Sequence, residues 1–194
     1  IENFLTARRL MYWQVYLHKT SVAAEKMLVN ILKRAKLLAS GGVDLFGSPS
    51  LRYFLYNNAD KMEFMQKGPA LNHFVMLDDA DFISAIKVWT GCDDLVLREL
   101  CTAFINRRLF KVEIKPEKST PEELARWTER YSRHFGISEQ EASYFMADET
   151  VSTDTYSAED DTINILMKDG TIRDIAVASD MLNITVLTRK VQKH

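Results

Sequence analysis

Four side chains near the start of the sequence could together bind a phosphorylated sugar. In an α-helix, which turns about 100° per residue, they fall within a sector of about 80°: Arg8, Tyr12, Tyr16 and Lys19. Arginine and lysine bind phosphate oxygens, and tyrosine offers a hydroxyl and a ring that packs against ribose or a base. An amphipathic helix with core tyrosines and snorkelling cations shows the same pattern. The stripe therefore indicates either a phosphate and sugar contact or an ordinary packed helix.

A second group of cations lies where a predicted helix gives way to a predicted strand. Arg107 and Lys111, in the segment 106–111, could converge on an anion there. Arg107 and Arg108 would equally suit the C-terminal end of a helix, where the dipole favours cations. On a continuous helix His18 lies about 80–160° from the first stripe, so it must face a different neighbour or site.

The sequence predicts no catalytic residue and no metal ligand set within this chain. None of its four histidines is followed by Asp, and neither His-x-x-x-His nor Cys-x-x-Cys spacing occurs. A P-loop, a Gly-rich dinucleotide motif and a Gly-x-Ser-x-Gly elbow are also missing from the sequence. The acidic cluster Asp78-Asp79-Ala80-Asp81 is best interpreted as a helix cap.

The elements that must position these residues divide the chain at residue 108. Residues 1–108 are predicted to be helical, and 109–194 to form a small α+β lobe, so the fold class is mainly α. One long helix is predicted over 3–39, with Arg34 among the cations near its C-terminal end. Further helices are predicted from 48–49, near 71, over 82–89 with a cap at 78–79, and from 93 or 94 to 105.

The second half alternates strand and helix signals. Strands are predicted over 109–114 and 184–191, and capping boxes start helices at Thr120, running to Gly136, and at Ser138. The strongest β-hairpin signal pairs 162–167 with 171–175 around Lys168-Asp169-Gly170.

Composition narrows the class of protein. With 25 basic and 27 acidic residues among 194, the chain lacks the basic excess typical of a general nucleic-acid binder. Apolar runs are too short to span a membrane, and Cys92 and Cys101 suggest buried thiols, so we expect a cytoplasmic protein. The chain opens at Ile1 without an initiator Met, which suggests a portion of a larger protein.

The two cationic segments together resemble those of HD-domain dNTP triphosphohydrolases. The run from Arg8 to Thr20, Arg-Arg-Leu-Met-Tyr-Trp-Gln-Val-Tyr-Leu-His-Lys-Thr, is similar to the Arg…Tyr-x-His-Lys helix of the type that contains a sterile alpha motif and an HD domain. Residues 106–111, Asn-Arg-Arg-Leu-Phe-Lys, resemble the Tyr-Arg-Asn-Leu-Phe-Lys segment of that family. The order of helical pairs, strand and small α+β lobe also matches.

The resemblance implies specific roles. Arg8 would hold the terminal phosphates of a dNTP, and Tyr16, with Tyr12 beside it, would pack on the deoxyribose. A regulatory nucleotide, a dNTP or a GTP-like ligand, would bind at a subunit interface of a homo-oligomer through His18, Lys19, Arg107 and Lys111. The chain departs from the vertebrate relative at Tyr12 and Leu17, where that protein has His and Gln.

The resemblance also implies a divalent metal whose ligands this chain lacks. In the family a His, a His-Asp pair and a further Asp lie N-terminal to the helix, and a metal-activated water attacks the α-phosphate. We therefore expect the C-terminal portion of an HD-domain phosphohydrolase, inactive by itself. The alternatives are a non-catalytic nucleotide-binding module and an oligomerisation domain. No membrane or specific nucleic-acid partner is expected.

Overall fold

The computed structural model describes residues 2–66, 68–115, 117–148, 150–153, 163–179 and 191–193. Within these residues the protein is mainly helical, which confirms the predicted fold class. The helices are α1 (Glu2–Met11), a π-helix (Tyr12–Tyr16), α2 (Lys19–Ser40), α3 (Pro49–Tyr56), α4 (Lys61–Met65), α5 (Pro69–Val75), α6 (Asp79–Trp89), α7 (Leu95–Ile105), α8 (Pro121–Phe135), α9 (Glu139–Ala142), a 3₁₀ turn (Ser143–Phe145) and α10 (Ile175–Ala178). The strands are β1 (Val151–Thr153), β2 (Asn164–Leu166), β3 (Ile172–Asp174) and β4 (Val191–Lys193).

The chain divides into two compact units that are not continuous in sequence. The first contains Ile1–Val22, Val112–Pro121 and Asp148–His194, and the second contains Ala23–Lys111 and Glu122–Ala147. Each unit draws on residues from both sides of 108/109. The division into domains 1–108 and 109–194 stays a prediction.

The second unit is built around the apolar stripe of α2. Met27, Ile31 and Ala35 recur every four residues on this helix and are at most 2% exposed. They belong to a core whose other buried members include Leu51, Leu55, Ala85, Ile86, Trp89, Val96, Leu97, Leu100, Cys101 and Phe145. The Trp89 ring donates from Nε1 to the Phe46 carbonyl at 3.0 Å, so the largest core side chain has its polar atom paired.

A buried arginine joins α2 to two other parts of this unit. Arg34, 7% exposed, donates from Nε and Nη2 to the two carboxylate oxygens of Asp94 at 3.0 and 2.6 Å. Its Nη2 also donates to Glu141 at 3.0 Å. Asn30, one turn earlier, donates to the carbonyls of Tyr144 and Met146, each at 2.9 Å. The sequence predicted that Arg34 complements the dipole at the C-terminal end of its own helix. In the structure, Arg34 is instead a buried ion-pair partner of Asp94 and Glu141.

Side-chain hydrogen bonds confirm four of the predicted helix starts. Ser48, Asp78, Asp94 and Ser138 each accept a backbone N–H from the first turn of α3, α6, α7 and α9 respectively. The Asp81 carboxylate in turn accepts from the Asp78 amide at 2.9 Å, which completes a capping box. The acidic cluster at 78–81 is therefore a helix cap, as predicted.

Three helices of the second unit end with a residue in the left-handed conformation. In each, the following amide donates to the carbonyl five residues earlier: Val43 to Leu38, Arg108 to Ala103, and Ile137 to Ser132. Gly42 (φ 88°) and Gly136 (φ 66°) fill this position after α2 and α8, as glycine usually does. After α7 it is filled by Arg107 (φ 56°), the one residue other than glycine with a positive φ in the described ranges.

The first unit has a small apolar cluster of its own. Leu5 of α1 is 1% exposed and Ile175 of α10 is 2% exposed. Ile163 and Ile165 pack against them, and β2 pairs with β3 in antiparallel register. Gly170, with φ 82°, supplies the left-handed residue of the connecting turn. The hairpin predicted around residues 168–170 is confirmed.

The remaining strands form a second pair. β1 pairs antiparallel with β4, with Ser152 opposite Gln192. The final strand predicted over 184–191 lies outside the described residues, except for Val191.

Two predicted elements are wrong. The helix predicted over 3–39 is interrupted, because α1 ends at Met11 and α2 begins only at Lys19. The strand predicted over 109–114 is not formed among the residues described there. Its neighbouring side chains Leu109 and Phe110 both pack against the core, whereas a strand places consecutive side chains on opposite faces.

Candidate functional site

The first unit brings together the three predicted substrate-binding side chains. The Arg8 guanidinium carbon lies 5.8 Å from the centroid of the Tyr12 ring. The Tyr12 and Tyr16 ring centroids are 5.2 Å apart, with their planes at 51°. Arg8 and Tyr16 are exposed and Tyr12 is half-buried. We call these three residues the Arg–Tyr stripe.

The chemistry of the Arg–Tyr stripe suits an anionic ligand that carries a ring. An arginine held near an aromatic ring keeps its charge and can direct its N–H donors at oxygen ligands. The exposed Tyr16 ring, 54% accessible, presents an apolar face and a hydroxyl to solvent. The stripe therefore presents a cation at one end and a ring with a hydroxyl at the other.

The Arg–Tyr stripe crosses the π-helix. The Leu17 amide donates to the Tyr12 carbonyl, five residues earlier, at 2.7 Å. A turn of this kind holds an extra residue, so the rotation of 100° per residue does not apply beyond Met11. The single helical face predicted to run from Arg8 to Lys19 is wrong for that reason. Short π-helical turns occur frequently at functional sites.

The helix breaks between Leu17 and Lys19. Leu17 adopts φ −97° and ψ 14°, in the bridge region between helical and extended backbone. His18 stands immediately before α2, and its Nδ1 accepts the Thr20 amide at 3.2 Å. The angle predicted for His18 on a continuous helix is therefore wrong, because His18 lies at a helix start. Lys19, the first residue of α2, is exposed.

Ser21 stabilises this break and was not predicted from the sequence. The Ser21 hydroxyl donates to the Val15 carbonyl at 2.8 Å, across the interruption. The available signal was the polar run His18-Lys19-Thr20-Ser21, whose residue types are more typical of a helix start than of a helix interior.

The second predicted cluster belongs to the second unit. Arg107 and Lys111 are exposed, and the intervening Leu109 and Phe110 anchor the segment on the core. The left-handed conformation of Arg107 costs roughly 1–2 kcal/mol relative to an ordinary helical one. Glycine avoids this strain at the ends of α2 and α8. A residue other than glycine in this strained conformation is the kind of outlier found at functional sites.

Neither cysteine is a nucleophile at neutral pH. Burial is the main cause that raises the pKa of the half-buried Cys92. The Cys101 thiol is fully buried, which raises its pKa to about 12. Both thiols therefore stay protonated and act as core side chains.

No group of three or more His, Cys, Asp or Glu side chains that could hold a metal ion occurs in the described part of the chain. Among the described helices, none combines the length and apolar character needed to cross a bilayer.

Known proteins similar to this chain include a solved bacterial phosphohydrolase and a second bacterial protein. The chain matches the crystal structure of a phosphohydrolase from Bacteroides thetaiotaomicron VPI-5482 with 51% identity and a TM-score of 0.88. It is also 33% identical over 119 residues to the uncharacterized protein YwfO of Bacillus subtilis strain 168. No protein-family model matches the chain.

The two matches differ in how much of each protein they cover. The similarity to the phosphohydrolase covers 99% of this chain and 48% of that protein. The similarity to YwfO covers 61% of this chain and 25% of that protein. This chain thus spans about half the length of the solved phosphohydrolase and about a quarter of YwfO.

Proposed function

We propose that this chain is part of a phosphohydrolase. The observation that carries the proposal is the 51% identity and shared backbone with a phosphohydrolase over 99% of this chain. The Arg–Tyr stripe supports it independently, because an exposed arginine beside aromatic rings is suited to a phosphorylated ligand.

Within that class we propose an HD-superfamily enzyme that converts a dNTP to a deoxynucleoside and triphosphate. This finer assignment rests on the resemblance of residues 8–20 and 106–111 to that family. Arg8 would bind the terminal phosphates, and Tyr16 would pack on the deoxyribose, where an added 2′-hydroxyl would be crowded. The contacts that join Arg8, Tyr12 and Tyr16 support this division, since they place a cation at one end and an exposed ring at the other.

We further propose a regulatory nucleotide site in a homo-oligomer, formed with His18, Lys19, Arg107 and Lys111. All four side chains are exposed. The strained backbone of Arg107 supports this assignment, because an arginine at that position needs a reason that outweighs the advantage of glycine. His18 and Lys19 belong to the first unit, and Arg107 and Lys111 to the second.

The proposed enzyme would use a divalent metal, and we place its ligands outside this chain because the resemblance to the HD-domain family implies ligands N-terminal to residues 8–20. Among the described residues, no group of three or more His, Cys, Asp or Glu side chains could hold a metal ion. The role of this chain is then to bind and orient the substrate: Arg8 neutralises phosphate charge, and the tyrosines fix the sugar. We propose a cytoplasmic location.

Kinetics of the full-length gene product with dGTP test this proposal. We expect Arg8→Ala to lower kcat/KM by about 10–150-fold, as for loss of one charged phosphate contact worth about 1.5–3 kcal/mol. Arg133→Ala is the matched control, because Arg133 is an exposed arginine whose guanidinium donates to the surface carboxylate of Glu129 at 2.6 Å. Equal activity of the Arg8 variant and the wild type would contradict the assigned role of Arg8. A wild-type protein that binds dGTP without hydrolysing it would favour the nucleotide-binding alternative.

A further inference from the structure

We infer that His18 and Ser21 are positioning residues, which hold the junction between the π-helix and α2 so that the Arg–Tyr stripe keeps its geometry. We define the junction as residues 15–22. The inference deepens the proposed function and rests on it for the identity of the ligand, although the junction itself is defined by hydrogen bonds alone.

The two side chains bond the backbone groups that the break would leave unpaired. When a helix is interrupted, carbonyls before the break and amides after it lose their helical partners. The Val15 carbonyl accepts from the Ser21 hydroxyl at 2.8 Å and from the His18 amide at 3.3 Å. The Thr20 amide donates to His18 Nδ1 at 3.2 Å, and the Val22 amide donates to the His18 carbonyl at 3.0 Å.

These bonds fix the backbone that carries Tyr16. Ser21 lies in the first turn of α2, and Val15 precedes Tyr16 in the π-helix, so their bond links the end of one helix to the start of the next. The Tyr16 side chain is 54% exposed, and its position therefore depends mainly on its backbone and on the Tyr12 ring. Loss of the bond from Ser21 would let the π-helical turn open and spread the stripe.

The hydrogen bond between the Thr20 amide and His18 also selects the tautomer of the His18 ring. Because Nδ1 accepts the Thr20 amide, the neutral imidazole must carry its proton on Nε2. His18 is exposed, so this N–H can donate to an oxygen of the regulatory nucleotide of the proposed function. His18 would thus position the Arg–Tyr stripe through Nδ1, and its Nε2 would serve the separate regulatory site.

Amide hydrogen exchange in the full-length protein tests the junction without any ligand. We expect Ser21→Ala to speed exchange of the Leu17 and His18 amides roughly 2–10-fold, the size expected for one hydrogen bond. Ser21→Thr keeps the hydroxyl and should restore slow exchange. Ser143→Ala is the matched control, since that exposed hydroxyl also donates to a backbone carbonyl, Gln140 at 2.7 Å. Unchanged exchange in Ser21→Ala would overturn the positioning role.

Calorimetric titration with dGTP, with EDTA present so that metal-dependent hydrolysis adds no heat, then links the junction to ligand binding. We expect Ser21→Ala to raise the Kd roughly 2–10-fold, with Ser21→Thr close to wild type. His18→Asn keeps a good cap but lacks the Nε2 donor, so it should bind dGTP more weakly while the Thr20 amide stays protected. If Arg8→Ala weakens binding and Ser21→Ala does not, the positioning inference fails and the proposed function stands. If neither change affects binding, the proposed ligand site is wrong, and the exchange result decides the junction separately.

Discussion

Removal of the buried Arg34 is the sharpest test of how the second unit is held together. Arg34 donates two hydrogen bonds to Asp94 and one to Glu141, and its guanidinium carbon lies 5.5 Å from the centroid of the Tyr144 ring. Arg34→Ala would remove all of these contacts. It would also leave the Asp94 carboxylate shielded from water without its counter-charge.

The expected loss follows from the burial of the pair. The side chains of Arg34 and Asp94 are only 9% and 18% exposed. Burial opposes ionisation of Asp94, but the hydrogen bonds from Arg34 and the Leu97 amide outweigh it, so the Asp94 pKa lies below its ordinary value. Breaking a buried pair by removing one partner costs about 3–5 kcal/mol. The 34% exposure of Glu141 lets water replace part of that interaction. We therefore expect a loss of about 3 kcal/mol, at the low end of the range.

Urea unfolding measures this difference directly. A loss of about 3 kcal/mol should lower the midpoint by roughly 1.5 M urea, for a slope of about 2 kcal/mol/M. Arg133→Ala is again the control, because its pair with Glu129 is 78% and 62% exposed and should contribute less than about 0.5 kcal/mol. Arg34→Lys keeps the charge without the two-pronged geometry and should fall in between.

The pH dependence gives this prediction a signature of its own. Because the folded-state pKa of Asp94 is lowered, its stabilisation is fully present above its unfolded pKa of about 3.9 and is lost as pH falls through the folded value. The difference between wild type and Arg34→Ala should therefore narrow below about pH 4. An Arg34→Ala variant as stable as wild type at pH 7 would refute the reasoning, as would a difference that does not change with pH.

Three further predictions concern single features of the second unit. Arg107→Gly should raise the midpoint of thermal unfolding, because the strain relieved in the folded state exceeds the conformational entropy gained by the unfolded chain by about 0.5–1 kcal/mol. The same change should weaken the stabilisation of the protein by dGTP. A destabilised variant would contradict the strain argument. Asp78→Ala should lower the free energy of unfolding in urea by about 1 kcal/mol, because it removes the N-cap of α6. Asp79 does not cap the helix, so an equal loss in Asp79→Ala would show that the cap is not the cause. Cys101 should react with iodoacetamide only when the protein unfolds, because its thiol is buried and protonated at neutral pH; rapid labelling of the native protein, followed by mass spectrometry, would contradict this.

The predictions that the structure confirms depend on residues close together in the sequence. Helix starts such as those at Ser48 and Asp94, and the hairpin turn at Gly170, depend on side chains or backbone freedom within three or four residues of the position concerned. The association of Arg8, Tyr12 and Tyr16 also followed from short spacing along one helix. It survived the change to a π-helix because neighbouring turns still bring these side chains together.

The predictions that were wrong involve contacts between residues distant in sequence, or a helix break that contains neither Gly nor Pro. Arg34 is bonded to Asp94, 60 residues away, which no helical pattern reveals. The break at Leu17 and His18 contains no classical helix breaker, and the apolar spacing continues across it. Its stability comes from side-chain bonds such as that of Ser21, whose partner is visible only in three dimensions. Residues 109–114 show the apolar and charged alternation of a strand, but the adjacent Leu109 and Phe110 both pack against the core.

Product analysis of the full-length protein with dGTP tests the central claim most directly. Ion-exchange chromatography with a divalent metal present separates deoxyguanosine and triphosphate from dGDP and orthophosphate. We predict equimolar deoxyguanosine and triphosphate from the wild type, and a large loss of both products in Arg8→Ala. Release of orthophosphate with dGDP, or no hydrolysis of any of the four dNTPs by an intact, folded protein, would contradict a dNTP triphosphohydrolase.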